Sequence, residues 1–405
     1  MFGRRKFNEK KKILIYTPYY NPEPFPINTF VEELANRESI DKITVITSLP
    51  NYRNYNFYKG YSFFGPYTQK QDKVDIIRLP VIPRFSNSKL GILSFYVSFF
   101  AASFLFLSIF SIFKRNKYDH ILTFCGSPVY VGYIGFLFSK ILNVQSSQWV
   151  QDIWPEAIES TVGIQNNKLR NTILKLQNYM WNLCDILFSE SEALTEYLQK
   201  KFRNKKVITL YNPIREEILQ SNNIIKKNHD LTIFSYIGNI GSAQNIELII
   251  KSFLEANLPN MILNMCGDGS LLNELRNKYT HDKILWHGWI KGAELEEIFK
   301  VSDYYIVSLN SIGRQGLIIP SKVQTYFMNK KPLLCISSGA ASKLIEKIKA
   351  GLVCKSYNQK DIAKVFCSAV DINHEQRNKM ATNGYNYYIN NFTKIKIVDK
   401  FLSSI

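Results

Sequence analysis

The sequence predicts an α/β protein of two domains, each built on a parallel, doubly wound sheet. Three observations lead there. The 405 residues are enough for two cores, and 46% hydrophobic with 21% charged residues is the composition of a folded chain. Short runs rich in Ile, Val and Phe alternate with longer amphipathic stretches along nearly the whole chain, as they do when buried strands are covered by helices. A polar, charged stretch from Ile214 to Asp230 interrupts that alternation, and no short repeat period points to a solenoid.

The elements follow in order. A basic start (Arg4, Arg5, Lys6, Lys10, Lys11, Lys12) precedes an apolar run, Ile13–Tyr16, too short for a signal-peptide core and read as part of the first strand. Strands are expected at Ile13–Thr17, Ile43–Thr47, Asp75–Leu79, His120–Cys125, Ser147–Val150, Ile186–Ser189 and Lys206–Leu210, with helices such as Thr29–Arg37, Lys168–Leu183 and Ser191–Lys201 between them. The second half repeats the pattern at Leu231–Tyr236, Met261–Cys266, Ile284–His287, Tyr304–Ser308, Leu333–Ile336 and Leu352–Val353. Residues 1–213 form the first domain, 214–230 a linker and 231–405 the second. The helical tail after Asn373 is long enough to pack back on the first domain.

Ile92–Phe113 is uncharged over a length able to span a bilayer, with Lys89 before it and Lys114 and Arg115 after it. A crossing would separate strands that belong to one sheet, and five serines dilute the apolar run. A helix lying in the membrane interface is therefore expected, with a buried core helix and a full span as the alternatives.

Lys and Arg exceed Asp and Glu by 18, which favours anionic partners. No basic recognition helix, zinc-finger spacing or aromatic RNA-binding motif is present, so nucleic acid is not expected. The six cysteines are scattered without a C-x-x-C pair and read as reduced thiols of a cytoplasmic protein. No histidine pair has ligand spacing and no Asp-x-Asp occurs, so neither a metal site nor another cofactor is expected.

In doubly wound sheets ligands meet the carboxyl ends of strands, where glycines let backbone N–H groups approach phosphates. The loop after the first strand, Pro18–Pro26, has no glycine and is rich in Pro and aromatics, including Tyr19 and Tyr20. It is either a packed loop or a wall for an acceptor with a sugar face. The second domain differs. Its first strand ends in Gly238-Asn239-Ile240-Gly241 before a helix expected near Ala243, and the next ends in Gly267-Asp268-Gly269. Two such turns in one domain point to a diphosphate. Pro320-Ser321-Lys322 opens a further helix: Ser321 and the free N–H groups suit a phosphate oxygen, while Lys322 and the upstream Arg314 are candidate cations. In the first domain, Asp152 of Gln151-Asp152-Ile153-Trp154-Pro155-Glu156 follows a strand end, where it can orient or deprotonate an acceptor hydroxyl. A helix-capping role for Asp152 or Glu156 is the alternative.

With these residues in view, the chain resembles glycosyltransferase family 4, of the two-domain GT-B fold. Within it the resemblance is to the bacterial O-antigen and capsule branch related to N-acetyl-L-fucosamine transferases. It runs through Pro50-Asn51-Tyr52, Tyr58-Lys59-Gly60-Tyr61, Ile77-Arg78-Leu79-Pro80, the Asp152 segment, Gly238-Asn239-Ile240-Gly241 with Gln244, Pro320-Ser321-Lys322-Val323-Gln324, Lys331-Pro332 and Gly351-Leu352-Val353. It implies two Rossmann-like domains facing across a cleft and a retaining, metal-independent transfer. The donor would be a nucleotide sugar, UDP-linked and N-acetylated or deoxy, and the acceptor a polyprenyl-diphosphate-linked saccharide. The protein would be peripheral on the cytoplasmic face of the membrane. Donor contacts are expected from Gly238, Asn239, Gly241, Gln244, Gly267, Gly269, His287, Trp289, Pro320, Ser321, Gln324 and Thr325; acceptor contacts from Tyr19, Tyr20, Asn51, Tyr52 and Trp154. Two departures stand out. Leu317 and Thr325 occupy the places of a usual glutamate pair, and Asn239 and Gln244 stand near those of a usual Arg and Lys. That moves charge neutralisation to Lys322 or Arg314. A sugar-nucleotide epimerase of similar fold and a non-catalytic partner in a polysaccharide assembly complex are the alternatives.

Overall fold

The computed structural model describes residues 10–52, 56–85, 89–113, 118–128, 130–155, 166–216, 231–310 and 316–405. The chain divides into two compact units, Met1–Arg215 with Lys394–Ile405, and Glu216–Thr393.

The first unit is a sheet of eight strands with helices between them. Its elements are β1 (Lys11–Tyr16), α1 (Pro26–Ala35), β2 (Ile40–Ser48), β3 (Thr68–Gln71), β4 (Val74–Leu79), α2 (Lys89–Phe113), β5 (His120–Cys125), α3 (Val131–Leu142), β6 (Gln145–Val150), α4 (Asn167–Leu183), β7 (Ile186–Ser189), α5 (Glu192–Lys201) and β8 (Lys206–Thr209). The strand order is β3-β4-β2-β1-β5-β6-β7-β8. Every pair is parallel except β3 with β4. The strand absent from the sequence reading is β3, Thr-Gln-Lys-Gln. An edge strand exposed to water needs no apolar run to hold its ladder.

One stripe of α2 is fixed to the sheet. Phe95, Phe99 and Leu107 are buried in a cluster with Leu14, Tyr16, Ile121 and Phe138, and Ser103 on the same stripe is buried too. The Tyr16 hydroxyl donates to Ser103 Oγ at 2.7 Å and its ring stacks on Phe99. The opposite stripe is open: Leu90, Leu93, Val97, Phe104, Leu105 and Ile109 are each more than half exposed. Leu90–Ile109 is long and apolar enough to cross a membrane, yet 22% of it is buried.

The second unit is a fully parallel sheet ordered β11-β10-β9-β12-β13-β14. It contains β9 (Thr232–Ile237), α6 (Ile246–Ala256), β10 (Met261–Cys266), α7 (Leu272–Lys278), β11 (Ile284–Gly288), α8 (Ala293–Val301), β12 (Tyr304–Ser308), α9 (Ser321–Met328), β13 (Leu333–Ile336), α10 (Ala340–Ile348), β14 (Gly351–Cys354), α11 (Gln359–Asp371) and α12 (His374–Asn391). Phe234, Phe253 and Phe366 meet edge-on or nearly so at the centre of its core.

The last helix, α13 (Lys394–Ser404), belongs to the first unit. Phe401 packs against Phe30, His120 and Phe188, and Arg37 pairs with Asp399 at 3.0 Å. The sequence division counts these residues with 231–405 while allowing the helical tail to cross back to the first domain. Their apolar stripe (Ile397, Val398, Phe401) completes the core around α1.

Candidate functional site

In the first unit β1 lies between β2 and β5, and in the second β9 lies between β10 and β12. These reversals of strand order open a crevice at the carboxyl ends of the strands. In each unit, taken by itself, the chemically interesting side chains gather at those strand ends.

In the second unit the glycine turns are mutually dependent. Gly238, Gly267 and Gly269 have φ of +141°, +138° and +156°, a region that side chains avoid. A Cβ on Gly267 would lie 1.8 Å from the Gly238 carbonyl oxygen, and one on Gly269 2.3 Å from that of Ile240. The Gly238 N–H donates to the Cys266 carbonyl and the Ile240 N–H to that of Asp268, locking the two loops together. Asn239 donates to Gln244 Oε1 at 3.1 Å, bracing the turn across Gly241. The helix expected near Ala243 starts later. A 3-10 turn (Ser242–Gln244) and the left-handed Asn245 precede α6.

Lys322 sits beneath this loop pair. A Cβ on Gly238 would come within 2.9 Å of its Nζ. The ammonium lies 4.1 Å from the centre of the Tyr236 ring and, although its nitrogen is buried, has no hydrogen-bond partner among the described residues. Burial lowers its pKa to about 8. The floor is rigid: Tyr236 donates to the Asn239 carbonyl, and the Tyr326 hydroxyl both accepts from and donates to the Ile237 backbone. Gln324 is 3% exposed with its Oε1 unpartnered. Pro320 precedes the first turn of α9 without a side-chain cap, and Ser321 is exposed. Thr325 uses its carbonyl to accept from Asn329. A desolvated cation beside glycine backbone, with no anion of its own, is suited to binding one. Arg314 lies outside the described residues.

His287 and Trp289 are at the sheet edge. His287 Nε2 lies 3.0 Å from Asn264 Oδ1, and burial lowers its pKa. His287 and Asn264 line a cavity of about 420 Å³ with Ile290, Glu294 and Glu297, and Trp289 is not part of its wall. Trp289 is 75% exposed, its ring free to stack.

In the first unit, Asp152 lies just beyond β6. Its Oδ2 accepts from Ser127 Oγ at 2.7 Å, and Ser127 accepts from Trp154 Nε1 at 3.1 Å. Trp154 is thereby tied to Asp152 through Ser127. Glu190, at the end of β7, is raised to about 8 by burial and by the Asp152 charge. Asn212 bridges Glu190 Oε2 and Gln151 Oε1 at 2.8 and 2.6 Å.

The four remaining acceptor candidates are mostly inside. Asn51 is fully buried, donating to the Leu49 carbonyl. Tyr19 and Tyr20 are 7% and 5% exposed, and Tyr19 stacks on Phe25 and Phe95. Tyr52 is partly exposed. In this conformation Asn51 shapes the loops and offers no surface to a ligand. Glu23 does the same work: its carboxylate accepts from the N–H groups of Asn51, Tyr52 and Tyr20. Burial pushes its pKa up to about 7 against those donors. Sequence reasoning passed over Glu23, Ser127 and Glu190. Glu190 does carry one signal, a polar residue immediately after a buried strand, and Ser127 follows its strand after one glycine.

Residues 217–387 match the family model for glycosyl transferases group 1. A probable glycosyltransferase, WbjE of Pseudomonas aeruginosa, is 24% identical over 139 residues, 33% of this chain. The match spans about a third (34%) of that relative's length. Among solved structures, sucrose-phosphate synthase from Thermosynechococcus elongatus superposes with a TM-score of 0.70 at 13% identity, covering 98% of both chains. Anabaena Alr3699/HepE in complex with UDP gives 0.64 at 13%, covering 97% of this chain and 100% of that one. The glycosyltransferase WaaG, involved in lipopolysaccharide biosynthesis, gives 0.62 at 12%, covering 97% and 99%. These likenesses show the fold: α/β, with the two mostly parallel sheets of the GT-B architecture.

Proposed function

We propose that this protein is a retaining, metal-independent glycosyltransferase that takes a sugar from a UDP-linked donor held by its second unit. The acceptor is a polyprenyl-diphosphate-linked saccharide of capsule or O-antigen synthesis. The observation that carries the reading is Lys322, a buried ammonium without an anion, against the Gly238 turn. The match to group 1 glycosyl transferases over the same unit and the UDP complex of a protein of similar fold support it.

Each step then has a residue. The diphosphate is met by the glycine turns, Ser321 and Lys322, and His287 and Trp289 flank the base. The acceptor oxygen bonds to the anomeric carbon as the bond to the diphosphate breaks on the same face. Its proton passes to the departing diphosphate, while Asp152 orients the hydroxyl. Lys322 offsets the charge that grows on the leaving group, taking the part a metal plays elsewhere. The exposed stripe of α2, opposite a stripe held in the core, supports peripheral association with the cytoplasmic face of the membrane.

The test is UDP release across a panel of UDP-, GDP- and dTDP-sugars with the native lipid-linked acceptor. Release that requires the acceptor is expected, and Asp152→Asn should lower kcat by about 100-fold or more. No turnover with any donor sinks the proposal, and interconversion of free UDP-sugars would assign an epimerase instead.

A further inference from the structure

A second cation in the first unit is held in an aromatic cage, and the reading above gives it no task. Arg84 lies between β4 and α2. Its guanidinium carbon is 5.2–5.5 Å from the ring centres of Tyr19, Tyr52, Phe95 and Tyr96. Nη2 donates to the Tyr96 hydroxyl at 2.9 Å and to that of Tyr19, and the Arg84 backbone N–H donates to Asn51 Oδ1. One edge of the fork is therefore fixed. Among the described residues Nε is buried without a partner, and no carboxylate pairs with Arg84. With Nη2 engaged and Nε enclosed, Nη1 remains to donate to a phosphate oxygen in a charge-assisted contact.

Its surroundings define the ligand. On one side lie the exposed Ile82 and Phe85, followed by the open stripe of α2 that begins with Leu90 and Leu93. Tyr96, on α2 itself, meets the guanidinium through its hydroxyl, as Tyr19 does from the loop after β1. The guanidinium thus lies where exposed apolar residues after β4 and on α2 meet phenol hydroxyls, a setting suited to a phosphate that carries a hydrocarbon tail.

We propose that Arg84 is the subsite for the phosphate of a polyprenyl-diphosphate-linked acceptor, oriented by the tyrosine hydroxyls and ring faces around it. This rests on the lipid-linked acceptor proposed above. The aromatic walls keep the guanidinium in one orientation, so little side-chain entropy is lost when phosphate binds.

The experiment is calorimetric titration of the full chain with farnesyl diphosphate, with farnesol and UDP as controls. Wild type should bind farnesyl diphosphate and not farnesol. Arg84→Met should weaken it about tenfold or more, as expected for a lost charge-assisted pair, with UDP affinity unchanged. Arg84→Lys, which keeps the charge and loses the fork, should fall between; Tyr96→Phe should weaken it less. The two conservative variants carry the test should Arg84→Met fail to fold. Equal farnesyl diphosphate affinity in wild type and all three variants overturns the proposal. A parallel arm uses phosphatidylglycerol vesicles. Loss of vesicle binding in Arg84→Met with farnesyl diphosphate binding retained would give the phosphate to a bilayer headgroup and overturn the acceptor assignment. Wild type that binds UDP but not farnesyl diphosphate sinks the Arg84 subsite alone. Wild type that binds farnesyl diphosphate but no nucleotide sinks the transferase and leaves Arg84 standing.

Discussion

Replacing Lys322 with methionine should make the free protein more stable and a poorer binder of UDP. The ammonium is buried, unpartnered and lowered from 10.5 to about 8. That shift corresponds to about 3 kcal/mol of disfavoured charge at neutral pH, at 1.36 kcal/mol per pH unit. The Tyr236 face returns about 1–2 kcal/mol through its attraction for the cation. The net gain for Lys322→Met is then about 1–2 kcal/mol, since methionine keeps most of the stem packing. For a unit of this size the melting temperature should rise roughly 2–6 °C. The diphosphate loses its buried cation, so Kd for UDP should rise about 10- to 100-fold. The sign with pH is definite. Below about 8 the lysine is charged in both folded and unfolded chains and the penalty is complete. Between about 8 and 10.5 the folded protein has released the proton that the unfolded chain still holds. Wild type therefore gains on the variant as pH rises through that window. Differential scanning fluorimetry with and without UDP, from pH 6.5 to 10, measures all three effects. A destabilised variant whose UDP-induced shift equals that of wild type would refute the reasoning.

Three further outcomes are expected. Gly267→Ala forces a Cβ to 1.8 Å from the Gly238 oxygen at positive φ, which should cost about 2–4 kcal/mol in urea unfolding; a cost under 0.5 kcal/mol would mean that the turn is not rigid. Glu190 is raised to about 8, so the folded state holds a proton that the unfolded chain has lost between about 4.5 and 8. Stability from this group falls as pH rises through that window, and Glu190→Gln should flatten the slope; an unchanged profile would remove Glu190 from the account. Val97→Glu and Leu105→Glu change side chains that are 59% and 66% exposed, so folding should survive while co-sedimentation with phosphatidylglycerol vesicles falls several-fold. Unaltered sedimentation would detach α2 from the bilayer.

The sequence by itself determined the two parallel sheets and the places where their strands end. Apolar runs of strand length, and glycines directly after them, are local signals that do not depend on which partner a strand finds. Gly238, Gly267 and Gly269 were legible for that reason, and so was Asp152. Only the tertiary structure decided which side of those turns each group occupies. The Lys322 stem folds under Gly238 and loses its water, a fact of packing that no spacing encodes. Asn51, expected as an acceptor contact, is buried, because Glu23 draws the Asn51 and Tyr52 N–H groups inward. Arg84 has no neighbours of interest along the chain, since its cage is assembled from Tyr19, Tyr52, Phe95 and Tyr96 by the approach of three distant segments. The same holds for α2 and α13. Composition made α2 apolar on every side, and contact with β1 chose the stripe that stays dry. For α13, the open groove beside α1 drew Phe401 into the first unit, because burying a phenyl ring outweighs the sequence distance it must return across.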